Sequence, residues 1–303
     1  MKFTYEKNGQ IRLDKYLSEM IDILSREKIK LHIKDSKVSV NGKIILKPKY
    51  TISMGDTVNI EVTKAELNKT LVPWVEGAMP EIIYECEDYM IINKPSGLVV
   101  HPGIGNTDRT LVNILIAQDI KLSHRDSMRP GIVHRLDKNT SGIMIIAKND
   151  KFHDYISDRF ANSDIYKKYH LISEGKYKNT KGIINVPIGR DQNNRKLMKA
   201  TLENSKEAKS VFHVIESFKD NEYVEFQIHT GRTHQIRVHS KFYGAPVLND
   251  LEYGNKVFDE EYGQYLHAIE ISFNDKKGNK VSYTAELPKK FKDKLKELRG
   301  KAQ

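Results

Sequence analysis

One carboxylate stands inside a basic, hydrogen-bonding run at 131–142, which reads GIVHRLDKNTSG. This residue, Asp137, follows His134 and Arg135, and an apolar strand pattern begins at 143. Charged groups beside a buried strand are costly unless each has a partner. Turns and caps also favour an aspartate followed by Asn, Thr and Ser, so the segment alone leaves Asp137 open between a structural and a catalytic role.

A second run, IHTGRTHQIRVH at 228–239, supplies arginines that could pair with a carboxylate or with phosphate. Its alternation over 234–239 predicts a strand, with Arg237 and His239 on one face. A polar sheet edge would have a similar composition, so this run also has a purely structural interpretation.

Three histidines in this run raise the question of a metal site. His229, His234 and His239 are five residues apart, which fits ligand pairs neither on a helix nor on a strand. No carboxylate or cysteine lies between them, so we expect no metal. A metal-dependent hydrolase remains a second hypothesis, which elemental analysis would test. No phosphate loop or dinucleotide loop is present either, so no organic cofactor is implied.

Two shorter segments accompany these runs. Asn93–Gly97, NKPSG, leaves an apolar strand and indicates either a rigid turn or the wall of a cleft. Lys167 and Tyr169 follow at KKY, where a tyrosine on a strand is more often part of the core than of a site.

The 303 residues allow about two domains, and the formal charge of +10 favours a polyanionic partner such as nucleic acid. No apolar run is long enough to span a membrane and the N-terminus has no signal-peptide core, so we expect a cytoplasmic protein. Cys86 is the single cysteine and cannot form an internal disulfide. Most of the charge excess lies between 12 and 49 and after 285.

The periodicity predicts an α+β protein with two domains. Residues 11–62 indicate two helices, the second capped by Ser25, and a hairpin turning at Asn41-Gly42. Residues 63–80 lose this pattern and are predicted to be a linker. Residues 81–303 form the second domain, which ends in a basic helix. Its predicted helices are 110–117, 150–162 and 289–299, and its predicted strands are 82–84, 89–93, 143–147, 169–173, 183–186, 211–217, 223–228, 234–239, 268–273 and 281–286.

Together the segments resemble the RluA-type family of pseudouridine synthases over residues 81–288. The motifs stand in the family's order: KPxG at 94–97, HRLD at 134–137 with TSG at 140–142, KxY at 167–169, TGRTHQIRVH at 230–239 and GAPV at 244–247. Residues 11–62 resemble the small RNA-binding module named after a ribosomal small-subunit protein, through RLDK at 12–15, Ser25-Arg26 and VNG at 40–42.

The resemblance implies a mixed, largely antiparallel sheet with a central cleft, plus a small N-terminal helix-helix-hairpin domain. It implies conversion of uridine in RNA into pseudouridine. The C1′–N1 bond breaks, the uracil rotates, and the base rejoins the sugar through C5. Nothing is oxidised or hydrolysed, so no cofactor or metal is needed.

The resemblance also implies roles for individual residues. Asp137 is predicted to be the one carboxylate required, either as a nucleophile or as a stabiliser of positive charge on the sugar. Arg232 is predicted to pair with it and keep it ionised. Tyr169 is predicted to pack on the target base, and its hydroxyl is a candidate for proton transfer at C5.

RNA is the expected partner, because a base inside folded RNA must be extruded to be reached. Arg135 is placed to fill the vacated position or to hold phosphate. Ribosomal RNA of the large subunit is the expected substrate and transfer RNA the alternative, and we expect a monomer. A non-catalytic RNA-binding factor is the remaining alternative. The other predicted RNA-binding residues are Lys167, Arg237, Arg12, Lys15, Arg26, Lys30 and Lys34.

Overall fold

The computed structural model describes residues 1–21, 24, 26–62, 71–103, 105–194 and 196–301. Ser25, the predicted cap, and residues 63–70 of the predicted linker therefore lie outside the described residues. The chain divides into two compact units. One comprises Met1–Val72 with Asp126–Met128, and the other comprises Pro73–Arg125 with Arg129–Gln303.

The smaller unit packs two helices against short strands. Leu13, Leu17, Ile29 and Ile33 are fully buried because apolar residues recur at helical spacing on one face of each helix. The elements are β1 (Lys2–Thr4), β2 (Gln10–Arg12), α1 (Leu13–Met20), α2 (Arg26–Lys34), β3 (Val38–Val40), β4 (Lys43–Ile44), β5 (Thr51–Ser53) and β6 (Thr57–Ile60).

A hairpin and an ion cluster order this unit. Asn41 and Gly42 both have positive φ, 51° and 79°, which gives the turn between β3 and β4 the twist that a two-residue hairpin needs. The buried carboxylate of Asp14 accepts hydrogen bonds from Arg12 and Arg26 at 2.9–3.1 Å. Both arginines thus have a structural partner within the unit.

The larger unit is built on a long mixed sheet. Its strands are β7 (Glu81–Glu85), β8 (Tyr89–Lys94), β9 (Ser141–Ala147), β10 (Tyr166–Glu174), β11 (Lys181–Asn185), β12 (Ile188–Arg190), β13 (Met198–Ala200), β14 (Ser205–Lys206), β15 (Lys209–Ser217), β16 (Asn221–Ile228), β17 (Leu266–Asn274) and β18 (Lys280–Thr284). Its helices are α3 (Leu111–Ala117), α4 (Asp150–Ala161), α5 (Gln235–Phe242) and α6 (Lys289–Gly300).

The main sheet has the order β11-β15-β16-β10-β17-β9-β8-β7, with β18 also paired to β17, and β12, β13 and β14 form a separate small sheet. Among the paired strands of the described chain, only β9 and β17 run parallel. The predicted mixed, largely antiparallel architecture is therefore confirmed. No helix among the described residues is long and apolar enough to cross a bilayer.

The parallel pair requires a glycine at its close approach. Gly142 has φ of +116°, and a Cβ at this position would lie 2.2 Å from the backbone oxygen of Ala268. No side chain fits there, so β9 and β17 can approach closely just after the Asp137 loop.

The predicted strand at 234–239 is wrong, because these residues open helix α5. Residues 235–240 are all buried. Because a helix that is packed on all sides has no exposed polar face, the pattern of apolar residues does not distinguish it from a strand. Ile236, Ser240 and Tyr243 follow helical spacing, and Gly244 with φ of +86° ends the segment.

Candidate active site

A pocket of about 130 Å³ opens where the ends of several strands meet helix α5. It adjoins a wider cleft of about 630 Å³, with which it shares Arg135, Asp137, His234 and Arg237. The pocket is lined by Arg135, Leu136, Asp137, Thr140, Tyr169, Ile228, Gly231, Arg232, Thr233, His234, Gln235, Ile236, Arg237 and Leu266. Four segments that are far apart in sequence thus meet in one concave site.

The loop that carries Asp137 is held by hydrogen bonds on its C-terminal side. The carbonyl of Lys138 accepts from the backbone N–H of Gly97 at 3.0 Å, and the hydroxyl of Thr140 accepts from Gln264 at 3.0 Å. The hydroxyl of Ser96 lies 3.0 Å from the Asn139 carbonyl. The backbone beside Asp137 is therefore tied to neighbouring segments.

Lys94 is the centre of this support. Its side chain is fully buried, and its Nζ donates to the carbonyls of Pro95, Leu98 and Lys138 at 2.8, 2.9 and 3.0 Å. Burial lowers the pKa of Lys94 to about 7, while the charge of Asp137 acts in the opposite direction. The NKPSG segment, predicted as a turn or cleft wall, thus holds the Asp137 loop through hydrogen bonds to the Lys138 carbonyl.

Arg237 organises the charges of the pocket. Its Nε and Nη2 donate to the two oxygens of the fully buried Asp250, both at 2.7 Å. Nη1 donates to Oδ2 of Asp137 at 3.1 Å, and Nη2 also reaches Glu252 at 2.8 Å. Burial disfavours the guanidinium charge, but Asp250 and Asp137 outweigh it and raise the pKa of Arg237.

The predicted ion pair between Asp137 and Arg232 is wrong. Arg232 lies on the turn before α5, where its Nε donates to the carbonyl of Glu207 at 2.7 Å. Its backbone N–H donates to the side chain of Gln235 at 3.0 Å. The helix brings Arg237 to the carboxylate instead, although Arg232 still lines the pocket.

Tyr169 and several apolar side chains form the inner wall. Tyr169 lies on β10 next to a register shift and is 9% exposed. Burial and then the nearby charge of Asp137 raise the pKa of its hydroxyl, which forms no hydrogen bond within the described chain. Ile228, Ile236 and Leu266 complete a surface suited to a flat, uncharged ring.

His234 faces the other oxygen of Asp137 from a left-handed backbone conformation, with φ of 56°. The hydroxyl oxygen of Tyr253 accepts from the Met198 backbone N–H at 2.8 Å and also lies 2.8 Å from Nδ1 of His234, which places the imidazole ring beside Asp137. Nε2 of His234 lies 3.8 Å from Oδ1 of Asp137. Burial lowers the pKa of His234, which favours a neutral imidazole.

The remaining predicted residues of the larger unit lie near the pocket or on its rim. Arg135 is exposed, and its Nη1 lies 3.3 Å from Nε2 of His101. Lys167 is nearly buried, and its Nζ lies over the ring of Phe160 without an ion pair in the described chain. Burial and then the charge of Arg232 lower the pKa of Lys167 to about 8.

The predicted RNA-binding residues of the smaller unit lie on or beside its helices. Lys15 lies 3.9 Å from Glu19, and Lys30 lies 2.6 Å from Glu27. Lys34 is at the end of α2 and is exposed.

The histidine run does not form a shared ligand set. His239 has Nδ1 on Ser210 and Nε2 on the Val186 carbonyl, both at 2.9 Å, whereas His234 turns to Tyr253. In the described part of the chain, no cluster of three His, Cys, Asp or Glu residues could hold a metal.

The sequence reasoning missed the residues that hold the site together. The motif that begins with GAPV runs on to Asp250 and Tyr253 but assigns neither residue a role, and Gln235 was predicted only as a residue of a strand. Gln235 accepts from the Thr230 hydroxyl at 2.7 Å and donates to Ser210 at 3.0 Å, which fixes the turn before α5. The helical spacing of Ile236, Ser240 and Tyr243 followed by a glycine was the available signal.

Comparison with known proteins gives this arrangement its family. Residues 88–241 match the family model described as RNA pseudouridylate synthase, and residues 11–58 match the S4 domain model. The chain belongs to the RNA pseudouridylate synthase family. This synthase is thus an isomerase that acts on RNA and carries an N-terminal S4 domain.

Relatives of this synthase match along nearly its whole length. An uncharacterised RNA pseudouridine synthase of Bacillus subtilis is 39% identical over 97% of this chain and 96% of its own. The ribosomal large subunit pseudouridine synthase D of Vibrio vulnificus is 33% identical over 98% of this chain and 94% of its own. The solved structure of human RNA pseudouridylate synthase domain containing 4 shares the fold at a TM-score of 0.56 and 24% identity, covering 72% of this chain and 92% of that chain.

Proposed function

We propose that this synthase converts uridine to pseudouridine in large-subunit ribosomal RNA, with Asp137 as its catalytic carboxylate. The substrate choice is supported by the Vibrio vulnificus relative, whose name specifies the large ribosomal subunit and which matches the chain almost end to end. Since ribosomal RNA is the proposed substrate, we also propose that the protein acts in the cytoplasm, as a monomer with one pocket per chain.

The observation that carries the proposal is the unequal environment of the two Asp137 oxygens. Arg237 holds Oδ2 at 3.1 Å, whereas no hydrogen bond of the described chain reaches Oδ1. The side chain is 21% exposed, so Oδ1 is open to a ligand in the pocket. A positioned, charged oxygen of this kind can assist cleavage of the C1′–N1 bond of a bound uridine.

The rearrangement itself is balanced within the nucleotide. The C1′–N1 bond breaks, a C1′–C5 bond forms, C5 gives up its proton and N1 gains one. The wall of Tyr169, Ile228 and Ile236 would hold the detached uracil while it turns, because an apolar pocket excludes water from the reacting sugar. The unbonded hydroxyl of Tyr169 is our candidate for moving the proton at C5.

Cations around the pocket are proposed to hold the extruded nucleotide. Lys167 and Arg232 lie close enough for their charges to oppose each other, and a phosphate between them would relieve this repulsion. Arg135 stands exposed at the rim, where it could occupy the space that the extruded base leaves.

The S4 domain is proposed to supply affinity that is not specific to the target base. Lys15, Lys30 and Lys34 are its proposed phosphate contacts, assisted by the exposed parts of Arg12 and Arg26. Such contacts should make binding strongly dependent on salt concentration.

Mapping of pseudouridines in total RNA tests this function. Cells lacking the protein would be compared with cells complemented by the wild type or by Asp137→Asn. We expect one or more large-subunit sites to be lost and then restored only by the wild type. Loss confined to transfer RNA would refute the substrate choice, and restoration by Asp137→Asn would refute the role of the carboxylate.

A further inference from the structure

A second groove lies between strand β13 and helix α5 and takes no part in the proposed reaction. Its volume is about 200 Å³. Met198, Val238 and Tyr253 form an apolar floor, while Lys199 and Lys241 stand at the edges. The groove therefore combines an apolar surface with cations, which is the combination that a nucleotide requires.

The two lysines of this groove have no carboxylate partner in the described chain. Lys199 is half-buried, and Lys241 is exposed and lies 5.8 Å from the centre of the Tyr253 ring. Asp191, the one acidic residue among the described residues that line the groove, accepts hydrogen bonds from the backbone N–H groups of Asn193 and Asn194 at 2.8 and 3.4 Å. Its charge is thus engaged by its own turn, which leaves the lysines available to an anion.

The C-terminal helix α6 is the informative contrast. Five of its six basic residues form ion pairs with carboxylates of the described chain. These pairs are Lys289 with Asp293, Lys290 with Asp259, Lys292 with Glu286, Lys294 with Glu297 and Arg299 with Glu216. The sequence alone indicates a strongly cationic helix, but ion pairs with carboxylates neutralise most of its charge in the fold. The two lysines of the groove have no such ion pairs in the described chain.

An exposed aromatic ring completes the groove. Phe242 ends helix α5 with 57% of its surface exposed, whereas Phe212 and Phe226 of the main sheet are buried. An exposed phenyl ring next to lysines, such as Phe242 in this groove, is a surface on which any nucleobase can stack.

The groove is also connected to the Asp137 site by hydrogen bonds. Met198 and Tyr253 line the groove, and the hydroxyl of Tyr253, which accepts from the Met198 backbone N–H, also shares a hydrogen bond of 2.8 Å with Nδ1 of His234 beside Asp137. A ligand in the groove would therefore contact Tyr253, which is hydrogen-bonded to His234 beside the carboxylate of Asp137.

We propose that this groove binds an unpaired nucleotide of the RNA substrate near the target uridine. The base stacks on Phe242, and Lys199 and Lys241 contact the adjoining phosphates. The proposal rests on the proposed function for its substrate and adds to it a second contact point that keeps the extruded strand in place.

Replacement of Phe242 tests the stacking contact. The rate of uridine conversion would be measured with the full-length protein and limiting large-subunit ribosomal RNA from cells that lack it. We expect Phe242→Ala to lower this rate roughly tenfold, in line with the usual value of one base stacked on an aromatic ring. Phe242→Tyr should retain the rate, and Phe258→Ala, which removes a ring of similar exposure (53%), should not change it.

Salt dependence tests the phosphate contacts. For the double variant Lys199→Ala/Lys241→Ala, we expect the slope of log affinity against log salt to fall by about 1.4, the value for two phosphates of a single strand. Lys289→Ala/Lys292→Ala on helix α6 is the matched control and should leave the slope unchanged. Equal slopes for the two double variants, or equal rates for Phe242→Ala and Phe258→Ala, would overturn the subsite. Absence of any conversion by the wild type would instead overturn the proposed function.

Discussion

The two oxygens of Asp137 have different tasks because their neighbours differ. Oδ2 receives a hydrogen bond from Arg237, whereas the one polar neighbour of Oδ1 among the described residues is the more distant Nε2 of His234, at 3.8 Å. Arg237 is in turn fixed by Asp250, which is fully buried, so the carboxylate is aimed by a partner that has little freedom to move. The orientation of the Asp137 carboxylate therefore comes from the guanidinium of Arg237 as well as from the loop that carries Asp137.

Exchange of each arginine for lysine separates their roles. We expect Arg237→Lys to reduce turnover about 100-fold, because an ammonium cannot bridge Asp250, Glu252 and Asp137 together. Arg232→Lys should reduce RNA affinity, because Arg232 is a proposed phosphate contact. It should have little effect on turnover at saturating RNA, because Arg232 bonds the Glu207 carbonyl and not the carboxylate of Asp137. Single-turnover rates with excess enzyme would check this, with circular dichroism as the control for folding. Equal losses of turnover in both variants would contradict the assignment.

The HRLD motif of the family resemblance predicted Asp137 at this site, whereas the local pattern alone left it open between a structural and a catalytic role. It did not predict the right arginine, because the choice depended on whether 234–239 is a strand or a helix. In a strand, the residues of one face are two apart, whereas in the observed helix Arg237 is the third residue, and its side chain reaches Asp137 in the pocket. Single-residue contacts across 100 positions are decided by tertiary structure that local pattern does not carry.

At the scale of elements, the support of the Asp137 loop comes from the end of strand β8. Lys94 is the last residue of that strand, and its three hydrogen bonds join two loops that the sequence separates by about forty residues. The strands themselves were predictable from their apolar runs, and nine of the ten predicted strands of the larger domain coincide with observed ones. The link between the loops was not predictable, since a lysine is normally expected at the surface.

Removal of the Lys94 ammonium should loosen both loops. We expect Lys94→Met to lower the free energy of unfolding by about 3 kcal/mol, because three carbonyls lose their donor while burial of a charge is relieved. Lys181→Met, at an exposed lysine of strand β11, is the control and should change stability by less than about 0.5 kcal/mol. Urea unfolding would measure both, and a Lys94→Met protein as stable as the control would show that these bonds contribute little.

At the scale of the whole molecule, the fold favours the neutral form of several histidines, of which His134 is half-buried and His267 fully buried. Burial lowers the pKa of His134 to about 3 and that of His267 to about 4. His134 accepts a hydrogen bond from the Ile145 backbone at 2.9 Å, which requires an unprotonated Nε2. The folded chain thus excludes protons that the unfolded chain binds below its ordinary histidine pKa of about 6.5.

This difference predicts the direction of acid destabilisation. Between pH 6.5 and about 4 the unfolded state binds more protons than the folded state. The free energy of unfolding is therefore highest above pH 6.5 and decreases as the pH falls, by up to about 1.4 kcal/mol per pH unit for each such histidine. We expect His134→Gln to flatten this dependence by about that amount, and His213→Gln, at an exposed position, to leave it unchanged. Unfolding free energies measured from pH 4.5 to 6.5 would check this, and parallel curves for both variants would contradict it.

The distribution of charge is also a property of the whole chain. The net charge of +10 predicted an anionic partner, and the S4 and synthase family matches agree with RNA. Which cations remain available could not be read from the sequence, because ion pairs such as Lys290 with Asp259 join residues far apart in the chain. The fold therefore decides where a polyanion can be bound.

The central claim is that the carboxylate of Asp137 performs the isomerisation. Its most direct test is the release of tritium from C5 of labelled uridine in large-subunit ribosomal RNA by the purified wild type and by Asp137→Asn. We predict release by the wild type, and a rate at least about 10³-fold lower for Asp137→Asn with RNA affinity unchanged. Tritium release by Asp137→Asn at a rate near that of the wild type would contradict the account.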